Sequence, residues 1–400
     1  MPGIAALAIG YVLSQFYRSF MAVLTPVLTS ELGMTKVDLS IASGAWFAVF
    51  ALAQFAVGVS LDRFGPRRTA SVMLAAGAGS GALLFAVASA PWMVIAAMAL
   101  IGLGCAPILM ALLFIFAHNY APARFAVLAS WTIAFGTAGN VIGAAPLAAA
   151  AEVFGWRPVI AALGVFTVAT AAVLFASVRD PAKPEGSATG STGLSGFGAL
   201  LKMRVLWPII PLAAINYAPT TGIRGLWAGP YLEDVYGLGS LAIGEVTMFM
   251  ALAMVAGSFL YGPLDTIFKT RKWVAAGGNA VSFLALLCFA LNPAPGLFAT
   301  TILLVVIGLS GSAFGLIMAH ARAFVPAHLT GRGVTLMNFF SIGGVGLMQF
   351  ATGGVVTAWS VPGEPVSGYV ALFAFYALMV GLTLLIYLFS RDAKPETTRR

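Results

Sequence analysis

Twelve apolar stretches follow one another along the chain, separated by short polar clusters. The first six lie near 5–27, 40–61, 70–89, 92–117, 125–150 and 157–177. The second six lie near 206–231, 243–264, 273–291, 296–318, 333–357 and 367–390. Each is close to the length of about 20 residues that a helix needs to cross a bilayer. Between the two sets, Arg179–Lys202 contains Pro181, Pro184 and the Gly/Ser/Thr-rich run Gly186–Gly196, the composition of a flexible linker. The pattern predicts an all-α integral membrane protein of twelve transmembrane helices in two pseudo-symmetric six-helix bundles. Residues 1–178 form the first bundle, 179–203 a cytoplasmic linker, 204–391 the second bundle and 392–400 a cytoplasmic tail. The chain opens directly into the apolar run Gly3–Leu28 with no basic segment before it, so this run reads as a retained first helix rather than a signal peptide.

Composition strengthens this picture. Hydrophobic residues make up 60% of the chain and charged residues 8%, against about 25% charged in soluble domains. Soluble enzymes and disordered regulators are excluded. The net charge of +8 would suggest nucleic acid in a soluble protein, but here it marks topology. With both termini cytoplasmic, 17 of the 21 Lys and Arg fall in cytoplasmic segments. Lys36 and Arg157 fall outside, and Arg18 and Arg224 fall within spans. The expected location is a cell membrane of the bacterial inner-membrane type, crossed many times. Cys105 and Cys288 both lie in apolar runs and read as packing residues.

The halves repeat. The loop after the second span reads Gly58-Val-Ser-Leu-Asp62-Arg63-Phe-Gly65-Pro-Arg67-Arg68, and the loop after the eighth reads Gly262-Pro-Leu-Asp265-Thr-Ile-Phe-Lys269-Thr-Arg271-Lys272. Each puts Leu-Asp at the membrane exit and a basic cluster a few residues later. Pro122-Ala-Arg124-Phe-Ala-Val-Leu128 is echoed by Thr330-Gly-Arg332-Gly-Val-Thr-Leu336. Such repeats mark transporters built from matching bundles. Gly58–Arg68 resembles the loop signature of the major facilitator superfamily, Gly-x-Leu-x-Asp-Arg-x-Gly-Arg-Arg, with Pro66 in place of the first basic residue after the glycine. The resemblance implies two six-helix bundles and transport by alternating access. Many members carry an arginine four residues before the fourth-span Gly-x-Gly; here that position is Met98.

Candidate chemistry centres on the two arginines within spans. An arginine at a helix centre costs roughly 2.5–3.5 kcal/mol on insertion scales and needs a compensating role. Arg18 shares a helical face with Tyr11, Ser14, Gln15 and Ser19; Arg224 shares one with Asn216, Tyr217, Thr220 and Thr221. The first and seventh spans are equivalent in the repeat, so the pair is expected at a central site, offering N–H donors to a carboxylate or phosphate. This is similar to the arginine pair of organophosphate and organic-anion carriers. The competing reading makes each arginine structural, bonded to helix carbonyls or reaching the outer edge. Trp46, Trp131 and Trp227 are candidates to line the cavity.

Gly58, Asp62, Arg63, Gly65, Arg67 and Asp265 are the expected gating residues, an acid at a helix exit with bases across a tight turn. Thr266 stands where Asp265 would have its arginine. In the fifth span Gly136, Gly139, Asn140 and Gly143 read as close packing, with Pro146 supplying a bend. No acidic residue falls at mid-membrane; Glu245 and His320 come nearest to a proton relay. Met248, Met250 and Met254 leave open a copper-like cargo, against plain apolar filling. No catalytic constellation, resident metal or cofactor is indicated. The expected function is secondary transport of a small organic anion by a monomer in the lipid bilayer, with a co-transported ion as a further partner and no nucleic acid. The alternatives are a carrier of neutral, cationic or metal solutes and a non-transporting receptor or assembly factor of the same fold.

Overall fold

The computed structural model describes residues 2–120, 122–180, 195–326, 329–364 and 366–393. The linker run 181–194, His328 and the tail beyond 393 lie outside the described residues. All the long described elements are helices. The first span is a bent pair, Gly3–Phe16 and Met21–Leu32, turning by 52°. Lys36–Ala86 runs on as one element but holds two spans, divided at Gly65. Pro91–Asn119 is the fourth span and Trp156–Ser177 the sixth. Between them the fifth bends by 41° from Trp131–Ile142 into Ala145–Phe154. Pro146 sits at the start of its second half, as the sequence suggested. The seventh span runs from Ile210 to Tyr236 through a π-helical turn, Ile223–Trp227. Ser240–Phe268, Lys272–Leu291, Leu297–Arg322, Thr330–Trp359 and Ser367–Tyr387 complete the twelve.

The chain divides into two compact units, Met1–Gly193 with Ser240–Gly244, and Leu194–Gly239 with Glu245–Arg400. In the first unit, the second and third spans pack along the fourth. Gly102 permits this, because a Cβ there would strike the backbone carbonyl of Trp46. The fifth-span glycines seat the first span in the same way: a Cβ on Gly136 would enter the Tyr11 ring, and one on Gly139 would meet the Val12 carbonyl and the Phe16 amide. These glycines therefore hold the stretch that leads to Arg18.

Local chemistry explains where helices stop and where they do not. Thr35 and Asp38 form a reciprocal capping box at the start of the second span. Pro26 takes away the amide that would bond the Ala22 carbonyl, yet the helix continues, because the Thr25 hydroxyl donates to that carbonyl at 2.8 Å. Gly65 has φ 80° and ψ 165°, a conformation open to glycine and little else, and it turns the second span into the third.

Candidate substrate site and loop anchors

Arg18 occupies the interruption of the first span, residues 17–20, between the two bent helices. Its guanidinium lies 5.3 Å from the ring centre of Trp46 and 5.0 Å from that of Phe50. Trp46 and Phe50 stack at 5.0 Å and form an aromatic wall. Cation–π contact of this kind is worth up to about 2 kcal/mol when desolvated, but it leaves the N–H groups unused. Arg18 Nε is buried with no hydrogen-bond partner, and so are Trp46 Nε1 and Gln15 Oε1. The Gln15 amide nitrogen donates to Tyr11 Oη at 2.8 Å. The structure thus pairs Tyr11 with Gln15 and Arg18 with Trp46. It adds Phe50, an apolar residue one helical turn after Trp46 that polar-stripe reasoning passed over.

Arg224 lies in the π-helical turn of the seventh span and is buried, 2% exposed. Around it the predicted stripe is divided among neighbours. Asn216 donates to Asn279 Oδ1 at 2.7 Å, Thr220 to the Ile307 carbonyl at 2.9 Å, and Tyr217 packs on Phe314. Trp227 Nε1 donates to Thr352 at 2.9 Å. Asn216, Thr220 and Tyr217 therefore serve packing within their own unit, against the ninth and tenth spans. Widened turns of this type concentrate at functional sites, and this one was not legible in the residue pattern.

In the loop after the second span, Asp62 and Arg63 are exposed, with Arg63 over the Phe64 ring at 5.2 Å. Gly58 is exposed with open space about it. The loop is instead anchored by Asp180, just beyond the sixth span. Its carboxylate accepts the Arg67 N–H at 2.8 Å and fills the space a Gly65 side chain would need. Arg67 Nε donates to the Phe175 carbonyl at 2.6 Å, and its guanidinium lies over the Phe175 ring. The second unit repeats the device. Asp392, beyond the twelfth span, accepts from the Lys272 N–H at 3.0 Å and from the Thr270 hydroxyl at 2.6 Å. Each aspartate thereby caps the helix that follows a basic loop. Asp265 does have an arginine partner, Arg271 at 3.1 Å, six residues on rather than adjacent. Asp180 and Asp392 were missed, although Arg179-Asp180-Pro-Ala-Lys-Pro-Glu185 and Arg391-Asp392-Ala-Lys-Pro-Glu396 are a readable repeat.

Of the remaining candidates, Trp131 is 72% exposed. Glu245 is exposed. His320 is buried, with Nδ1 2.7 Å from Tyr387 Oη and Nε2 2.8 Å from the Arg391 carbonyl. A carbonyl only accepts, so Nε2 carries the proton and Tyr387 donates to Nδ1 in the neutral ring. Met250 is buried against Gly308, a filling role.

Residues 7–244 match the sequence profile of the Major Facilitator Superfamily. No curated protein sequence matches the chain. Among solved structures, the chain is similar to a bacterial homolog of the human lysosomal transporter Spinster in an inward-facing, occupied conformation. Identity is 18% over 97% of this chain and 96% of that one, with a TM-score of 0.77. The nucleoside transporter NupG is 13% identical over 97% and 98% of the two chains, with a TM-score of 0.74. The xylose transporter XylE from E. coli, inward open, is 12% identical over 98% and 97%, with a TM-score of 0.72.

Proposed function

Because the chain belongs to the Major Facilitator Superfamily, and so is a multi-pass membrane transporter rather than an enzyme, we propose that it moves a small organic anion by alternating access, with Arg18 and Arg224 as its ligands. The observation that carries this reading is the state of Arg18. A permanently charged side chain stands at a break in a spanning helix, with a buried donor that nothing accepts from. An unmade hydrogen bond at a buried charge costs about 1–3 kcal/mol, and a carboxylate or phosphate oxygen would remove that cost. The second half-helix begins at Met21 with no side-chain cap, so its positive end adds to the attraction. Trp46 Nε1 offers a second donor and Gln15 Oε1 an acceptor, which favours an anion that also bears a hydroxyl. Arg224, at the equivalent place in the repeat, supplies the second charge. Gly58, Asp62, Arg63, Gly65, Arg67 and Asp265 form the gating elements on the cytoplasmic side, with both termini on that side and the monomer as the working unit.

The test is uptake into reconstituted vesicles with a panel of carboxylates, organic phosphates and sugar acids. Arg18→Gln should weaken anion uptake at least about tenfold, with Arg18→Lys intermediate and Arg224→Gln also impaired. Uptake of every transported anion that survives both changes to Gln overturns the reading. A second reading is a neutral, hydroxyl-rich solute held by Trp46, Tyr11 and Gln15, favoured by the nucleoside and xylose transporters among the similar structures. It wins if a nucleoside or sugar is carried at an unchanged rate by Arg18→Gln.

A further inference from the structure

At one end of the second unit, the chain entering the seventh span and the chain leaving the twelfth border an open pocket of ≈ 360 Å³, lined by Arg204, Val205, Pro208, Phe389 and Arg391. That is many times the roughly 30 Å³ that a water occupies, and it lies at the lower end of the about 300–1,000 Å³ of small-molecule sites. Two guanidinium groups supply its charge. Neither arginine has an ion pair among the described residues.

Arg391 is held from both sides without being neutralised. Its carbonyl accepts from His320 Nε2 at 2.8 Å. Its neighbour Asp392 is turned away, with its carboxylate on the Thr270 hydroxyl and the Lys272 amide. The acid that would be expected to pair with Arg391 is therefore occupied elsewhere, and the guanidinium is left to the pocket. Of the lining residues Phe389 is 86% exposed, and Trp207, three residues after Arg204 in the chain, is 60% exposed. Exposed aromatic rings beside arginines at the ends of spanning helices mark the level where acyl chains give way to headgroups.

We infer that this pocket binds the phosphate of an anionic phospholipid, gripped by Arg204 and Arg391, with Phe389 and Trp207 against the acyl chains. A phosphate diester offers oxygens to two guanidinium forks at once, and basic pockets between spanning helices suit such headgroups. A freely dissolved phosphate offers the same oxygens but has no use for the exposed aromatic rings. The site is separate from the proposed transport ligands and does not depend on them.

Native mass spectrometry of the purified full chain, titrated with phosphatidylglycerol or with phosphatidylcholine of the same acyl chains, tests this. The protein should retain phosphatidylglycerol in preference to phosphatidylcholine. Arg204→Gln with Arg391→Gln should weaken phosphatidylglycerol retention roughly fivefold per arginine, about twenty-five-fold together. A control double variant, Arg68→Gln with Arg322→Gln, removes the same charge at exposed positions elsewhere and should retain the lipid. Should the glutamine pair fail to fold, Arg204→Lys with Arg391→Lys keeps the charge, loses the fork, and should show an intermediate loss. Equal loss in the control, no preference between the two lipids, or displacement of the lipid by millimolar inorganic phosphate would each overturn the assignment.

Discussion

Replacing Asp392 with alanine should loosen the start of the ninth span and the loop before it, and the size of the effect follows from two bonds. Lys272 is the first residue of that helix, and the preceding Arg271 provides no side-chain cap. Asp392 supplies it from the far end of the unit, taking the Lys272 amide at 3.0 Å while holding Thr270 at 2.6 Å. Thr270 Oγ1 in turn accepts the Trp273 amide at 3.2 Å. Loss of a helix cap costs about 1 kcal/mol, and a hydrogen bond to a charged group about 1.5–3. Because the carboxylate is solvent-facing, the lower part of that range applies, about 2 kcal/mol for the pair. Local opening should then rise about thirtyfold, read as faster hydrogen exchange of the amides at 271–275 by mass spectrometry. Asp392→Asn keeps one acceptor and should show roughly fivefold. Exchange at the Thr35–Asp38 capping box, in the other unit, should not change. Unchanged exchange at 271–275 in a folded Asp392→Ala protein would refute the capping argument. The pH dependence has a definite sign. Burial raises the Asp392 carboxyl, but the Thr270 hydroxyl, the Lys272 amide, His320 and the Ala393 amide together outweigh it and hold the group below its ordinary 3.8. Its stabilisation is therefore complete above that ordinary value and is lost only as pH falls through the lower folded one. Protection at 271–275 should persist from pH 7 down to about pH 4.

Two further substitutions probe the packing that sets the site. Gly65→Ala meets both a backbone conformation reserved for glycine and the Asp180 carboxylate, 2.5 Å from the added carbon; a loss of about 1–3 kcal/mol is expected, and a thermal unfolding midpoint equal to that of the unmodified protein would contradict it. Gly139→Val would press on the Val12 carbonyl and the Phe16 amide just before the break at Arg18. Overpacking of about 1–3 kcal/mol should be accompanied by weaker anion uptake. Lost stability with unchanged uptake would show that the fifth span does not set the Arg18 geometry.

How much of this was legible in the residues depends on whether the cause was local. The apolar stretches, the turn at Gly65 and the fifth-span bend before Pro146 were readable, because chain periodicity and backbone chemistry dictate them. The interruption at 17–20 was not: Tyr17, Arg18, Ser19 and Phe20 include neither glycine nor proline, and the apolar pattern runs straight through. Pro26, by contrast, does not break its helix, because the Thr25 hydroxyl takes up the carbonyl it leaves without a partner. The Asp265 partner is not legible at the adjacent Thr266, because it comes from the far side of the turn: the left-handed Lys269, at φ 55°, folds the loop back and brings Arg271 into reach. The stripe from Asn216 to Arg224 shows the same limit. Helical spacing placed those residues correctly on the helix but could not say that Asn279, Ile307 and Phe314 would claim three of them.

The matched aspartates bear on how such a protein moves. Asp180 ties the loop between the second and third spans to the end of the sixth, and Asp392 ties the loop between the eighth and ninth to the end of the twelfth. Each unit is closed on itself by a bond between its interior loop and its last helix. A loop held in this way travels with its own bundle instead of flexing independently, which is what rigid-body rocking of two repeats requires. The bonds also divide the labour within the loop. Arg67 is committed to Asp180 and Phe175, so its role is to hold the loop in shape. Asp62 is exposed and makes no ion pair among the described residues. Of these two members of the signature, Asp62 is therefore the one able to gain and lose a partner as the transporter cycles, and the gating function proposed for the loop rests on it.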